Sequence, residues 1–159
     1  VELLVEAYNL LKKKRKDIVL RLVGSNMPLN LDKGSHIIVE TNKYYSEIPK
    51  IYSEAYLCVI PHIKNPYMDA ALPIKLFDAM ASARPVVATD CYETNKLVNH
   101  EKCGIIAKSN DAQILAESID YLIQNPTIAQ ELGQSGRQSV EERHSWSHRA
   151  QTIKDNMSS

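Results

Sequence analysis

No stretch of this 159-residue sequence stays apolar for the roughly 18 residues needed to span a bilayer, and the amino terminus lacks the basic-then-apolar layout of a signal peptide. Net charge is missing as well. The 19 basic side chains balance the 19 acidic ones, which argues against a polyanion-binding surface and so against nucleic acid as a partner. Cysteine is sparse: Cys58, Cys91 and Cys103 are odd in number and widely spaced, a pattern of reduced thiols in strands and loops rather than of disulfides or a zinc site. There is no internal repeat and no low-complexity segment. The chain reads as soluble and cytoplasmic, and as one domain over residues 1–159, because most compact domains run to roughly 100–150 residues.

What is present is an alternation. Leu3, Leu4, Ala7, Leu10 and Leu11 fall at helical spacing from the first residues onward, so a segment upstream of Val1 is expected, and the helix ends in the cations KKKRK that suit the negative end of its dipole. The runs IVLRLVG and HIIVET then read as strands. SEIPKIYSEA reads as a helix with Ser46 as its cap, and YLCVIP as a third strand. A helix from Pro73, a strand PVVAT, a turn or two of helix in ETNKLV and a last strand CGIIA follow. From residue 109 onward the chain reads as helical, with Ser109 or Asp111 as a cap, Pro126 opening a second segment, and Gly133 and Gly136 loosening a third. Near-continuous apolar strands alternating with helices predict an α/β fold, a doubly wound, Rossmann-like parallel sheet in three layers.

Ligands of such sheets bind beyond the carboxyl ends of the strands, where helix amino termini converge. LPIKLFDAMASARPVVATD, Leu72 to Asp90, would start a helix there. Its first-turn amides lack intrahelical partners and lie at the positive end of the dipole, which suits a phosphate. Lys75 is a cation where the dipole disfavours one unless an anion answers it. Asp78, three residues on, is placed to accept hydrogen bonds from a pair of vicinal hydroxyls. The pair reads equally well as an exposed i, i+3 salt bridge contributing a few tenths of a kcal/mol.

The same stretch resembles the donor-site segment of GT-B glycosyltransferases of the large retaining family 4, in which L-x-x-E-A-M-A-x-G-x-P-V-V-A follows a loop. Flanking segments extend the likeness over nearly the whole chain: LLVEAYNLL with DIVLRLVGS, then SEIPKIYSEAYLCVIPH, then NKLVNHEKCGIIA and the closing helices through RHSW. The resemblance implies a carboxyl-terminal domain that holds a nucleotide sugar without a metal or other cofactor. It further implies the glycan or lipid-linked acceptor on an absent amino-terminal domain, inactivity of this chain by itself, and a sheet lacking its usual first strand, whose slot must be filled or closed. By similarity Asp78 takes the place of the glutamate on the ribose, and the amides of Ala71, Leu72 and Ile74 face the diphosphate. Thr41 and Asn42 lie at the base-binding position.

Three departures stand out. Ala70, with Asp69 beside it, replaces the family's first, sugar-contacting glutamate; Asp78 shortens the second; and Ala83 replaces a glycine. PIKLFD is similar to a branch with P-x-K-[LF]-[LF]-E, which favours Lys75 over Asp69 as the phosphate or sugar contact. A non-catalytic binding or assembly module that kept the fold is the other reading.

His144 and His148 are four residues apart, but without the zincin glutamate or a third ligand they predict no metal site. Trp146 is expected to anchor the last helix, and Tyr44 and Tyr45 to cover apolar surface. KKKRK suits either a solvated helix end or peripheral contact with an anionic membrane face.

Overall fold

A computed structural model describes residues 1–25 and 36–157. Five parallel strands, β1 (Leu20–Val23), β2 (Ile37–Glu40), β3 (Cys58–Ile60), β4 (Val86–Thr89) and β5 (Gly104–Ala107), alternate with helices. The helices are α1 (Glu2–Lys14), α2 (Ile48–Glu54), α3 (Pro66–Ala70), α4 (Ile74–Ala81), α5 (Tyr92–Glu101), α6 (Ala112–Gln124), α7 (Pro126–Ser139) and α8 (Trp146–Met157). The doubly wound α/β expectation holds, and β4, central in its sheet, is buried at every residue, as a strand covered on both faces must be.

The sheet is split. β1 pairs with β2, and β3, β4 and β5 pair in that order, but no ladder joins β1 to β3. Among the described residues the two ladders remain separate. The reason lies in the helical layer. Leu4, Ala7 and Leu11 of α1 form one core with Leu115, Ile119 and Leu122 of α6 beneath strand residues Leu22 and Val87. The Tyr8 hydroxyl donates to the carbonyls of Ile18 and His36 at 3.3 and 3.1 Å, and Arg15 meets Asp120 at 3.1 Å. Closing the break would drag β1 off this layer. A second core, Ile60, Leu76, Met80, Val86 and Val98, covers the opposite face of the three-stranded sheet.

Several local expectations are corrected. Ser46 caps nothing; the Glu47 carboxylate accepts from the Tyr44 amide at 2.9 Å while the Glu47 amide donates to the Tyr44 carbonyl, closing a 3-10 turn ahead of α2. ETNKLV belongs to a ten-residue helix. Gly133 and Gly136 loosen nothing: they sit buried within the continuous α7, where Gly133 lies against the Ala83 carbonyl and a Cβ on Gly136 would come within 3.0 Å of Cys103. Trp146 anchors nothing, being 74% exposed, and Tyr44 and Tyr45, at 78% and 83%, cover no apolar surface.

The carboxyl end of the chain is held by Glu101. Arg143 Nη2 donates to it at 2.6 Å, and ring nitrogens of His144 and His100 lie 2.8 and 3.1 Å from Oε1. An ionised carboxylate only accepts, so both ring nitrogens carry their protons. Burial pushes this carboxyl up, but these hydrogen bonds outweigh it and hold it at about 2. They also pin the π-helical turn Val140–His144 from which α8 departs. His144 and His148 are engaged with Glu101 and Ser145 rather than with each other.

Candidate functional site

The candidate site lies where β3 and β4 end and α4 begins. Asn65 caps the short α3 through Met68 N, and the chain then runs through Ala71 to Pro73 before α4. Pro73 is the N-cap, one position earlier than the sequence reading placed it, with its carbonyl accepting from Leu76 N at 3.0 Å. The Ala71 amide is spent on Met68 O at 3.3 Å, and proline has none. The amides of Leu72, Ile74 and Lys75 have no backbone partner among the described residues. Three free donors at the positive end of a helix dipole suit an anion.

α4 is oriented by Leu76, Ala79 and Met80, which are fully buried, and by Phe77, whose ring centre lies 5.4 Å from that of His144 at a 51° tilt, with Arg149 over it at 5.1 Å. That seating turns Lys75 out to solvent and leaves Asp78 half-buried beside Tyr52 of α2. The i, i+3 salt bridge left open by the sequence does not form, and neither side chain has a hydrogen-bond or ion-pair partner among the described residues. Burial pushes the Asp78 carboxyl above its ordinary range, with nothing to offset it. An unpartnered, partly desolvated carboxylate is a poor choice for stability and a good one for gripping hydroxyls.

Asp69 stands apart. Its Oδ1 accepts from the Tyr92 amide at 2.8 Å, so this carboxylate caps α5 and ties α3 to it. Asp90, after β4, accepts from the amide of Ser109 at 2.8 Å and from its hydroxyl. Thr41 and Asn42 follow the end of β2, both exposed, with Asn42 in the left-handed region at φ 55°. The loop holding them is steadied by Glu40, which Arg21 and then Lys43, at 2.7 Å, keep ionised with a pKa of about 2. They therefore stand at the rim of the other sheet, on the far side of the break, and α2, packed on α4, links the two halves.

Sequence reasoning gave no role to His62. It lies two residues past the end of β3, after Pro61, and its carbonyl accepts from the Thr89 hydroxyl at 2.6 Å. Its Nδ1 is enclosed without a partner. A histidine two residues past an apolar strand was the available signal, too common alone to single out.

Strands ending at a rim of helix amino termini, with free amides, a free cation and a lone carboxylate there, define a Rossmann-like domain. Residues 1–125 match the family model described as glycosyl transferases group 1, and the chain belongs to that family. An uncharacterized glycosyltransferase of Haemophilus influenzae is 26% identical over 147 residues, 84% of this chain and 38% of that protein. The carboxyl-terminal domain of a glycosyl transferase group 1 family protein from Francisella tularensis superposes with a TM-score of 0.71 at 20% identity, covering 91% of this chain and 78% of the other. Anabaena HepE, solved with UDP-glucose, gives a TM-score of 0.77 at 20% identity over 99% of this chain and 44% of its own. The chain thus spans well under half the length of the curated relative.

Proposed function

We propose that this chain is the donor-binding half of a retaining, metal-independent glycosyltransferase, which takes a nucleoside diphosphate sugar and passes the sugar to a glycan or lipid-linked acceptor seated on a separate domain. The free amides of Leu72, Ile74 and Lys75 receive the diphosphate, the Lys75 ammonium adds charge, and the half-buried Asp78 grips the ribose diol. Stabilising the leaving diphosphate is what such an array offers the reaction. Thr41 and Asn42 border the base. The observation that carries this reading is Asp78: an acid held partly out of water with no partner of its own among the described residues, one turn below the free amides that open α4. The HepE structure with UDP-glucose supports the class of ligand. Among the described residues no helix is long and apolar enough to cross a membrane, and a cytoplasmic enzyme, peripheral at the inner membrane face, is the setting proposed.

A second reading, a binding or assembly module without donor chemistry, is favoured by one observation: Ala70 replaces the family's sugar-contacting acid and neighbouring Asp69 is committed to the Tyr92 amide. Calorimetric titration with uridine, guanosine and adenosine diphosphates separates them. Micromolar binding of one of these, abolished in Asp78→Ala, is expected; absence of binding by all three supports the module. The chain alone is proposed to be inactive, which glycosyl transfer by residues 1–159 without added protein would refute.

A further inference from the structure

We propose that His144 and Arg149 are positioning residues for this site: together they hold Phe77, and through it the turn of α4 that carries Asp78. The inference rests on the donor-site reading and extends it to the last helix. Phe77 and Asp78 are consecutive on α4, about 100° apart around its axis, so whatever fixes one sets the direction of the other. Leu76, Ala79 and Met80 seat α4 on the core. Phe77 is held from another side. Its ring centre lies 5.4 Å from that of His144, and the Arg149 guanidinium sits over it at 5.1 Å, close enough for an aromatic face to attract a cation.

The two holders are anchored differently. His144 is fixed from outside α4: its Nε2 donates to Glu101 Oε1 at 2.8 Å, and Glu101 is tied in turn to α7, where the Ser135 hydroxyl donates to its backbone carbonyl at 2.7 Å. Phe77 thus meets a firm stop. Arg149 is carried by α8, in which every residue is exposed and the hydrogen bonds of Gln151, Thr152 and Asn156 stay within the helix. No buried residue of α8 seats it in the core. Its attachment runs through the turn before it and through Arg149 over Phe77. With Arg149 on the ring, α4 is held on its outer side; with α8 swung away it is not. A ligand that needs Lys75, Asp78 and the free amides in one geometry binds the docked form better, and by linkage its binding favours docking of α8.

Arg149 is exposed, so Arg149→Gln should leave the fold intact, while Arg149→Lys keeps a cation at the ring. Uridine, guanosine and adenosine diphosphates are titrated into wild type and both variants, followed by calorimetry and by the emission of Trp146, the chain's single tryptophan and the first residue of α8. The expected result is binding about threefold weaker in Arg149→Gln and largely restored in Arg149→Lys, with a shift of Trp146 emission on binding that Arg149→Gln lacks. His144→Gln, which keeps a donor for Glu101 and loses the ring, should behave like Arg149→Gln; wild-type affinity there removes His144 from the proposal. Equal affinities in wild type and Arg149→Gln, or equal emission shifts, overturn the positioning role, and if Asp78→Ala still abolishes binding, the donor site itself stands. Failure of the wild type to bind any of the three diphosphates overturns the donor-site reading. The hold on α4 is then read without ligand, as amide exchange at residues 77–80, which should quicken in Arg149→Gln and not in Arg149→Lys. Unchanged exchange overturns the hold as well.

Discussion

Replacing Glu101 by glutamine keeps the shape of a side chain that is only 4% exposed and removes its charge. The carboxyl titrates at about 2 in the fold against 4.5 in an unfolded chain, and at 1.36 kcal/mol per unit the ionised form contributes about 3 kcal/mol. Because the folded pKa is the depressed one, this contribution is complete above 4.5 and is lost as pH falls towards 2, with about half of it left near pH 3. Glu101→Gln should therefore lower stability by about 3 kcal/mol at pH 7, a drop of roughly 6–12 °C in the unfolding midpoint for a chain of this size. Urea unfolding followed by far-ultraviolet circular dichroism, wild type against variant from pH 7 to pH 3, measures the gap. One of the two oxygens that accept from Arg143 and His144 would become an amide donor facing a donor, so the π-helical turn and α8 should loosen first, as early amide exchange after residue 139. A gap below about 1 kcal/mol at pH 7, or one that fails to narrow between pH 5 and pH 3, would refute the reasoning.

Three further outcomes are expected. Asp78→Asn should leave the ligand-free protein as stable as wild type or more so, since an unpartnered, desolvated carboxylate disappears; because burial raises its folded pKa, any gain appears as pH rises past that value, and a thermal melt at pH 5 and pH 8 checks the sign. Ala83→Gly should stabilise by about 1 kcal/mol, because Ala83 sits at φ 53° closing α4 through the paired bonds Arg84 N to Ala79 O and Ala83 N to Met80 O; a lowered melting midpoint would contradict this. Burial pushes the Cys58 and Cys103 thiols up to about 12, so neither should react with iodoacetamide at pH 8 in the native state, while both should label promptly in urea.

Much of this was legible along the chain. The apolar run PVVAT announced a strand buried on both faces, and the stretch from Pro73 announced the helix α4 at the end of the sheet. These depend on periodicity, which is local. Ala83 was visible as a departure from glycine, yet only its φ shows the strain. The helix caps were less legible: Glu47 reaching back to Tyr44, rather than Ser46, closes the turn before α2, since two candidate caps within three residues look alike in sequence.

The sequence by itself determined the alternation of strands and helices, the parallel sheet, and the charge of the groups near residues 75 and 78, because pattern and residue type act over one or two turns of chain. Only the tertiary structure decided that Lys75 and Asp78 do not pair, that Asp69 is spent on α5, that Glu101 gathers the tail, and that the sheet breaks between β1 and β3. Each of those outcomes is a competition among groups 23 to 42 residues apart, or a choice between solvent and core, and the winner is set by where the helical layers place them. His62 shows the difference most plainly: nothing along the chain distinguishes it, and its unanswered nitrogen exists only because the fold seals it.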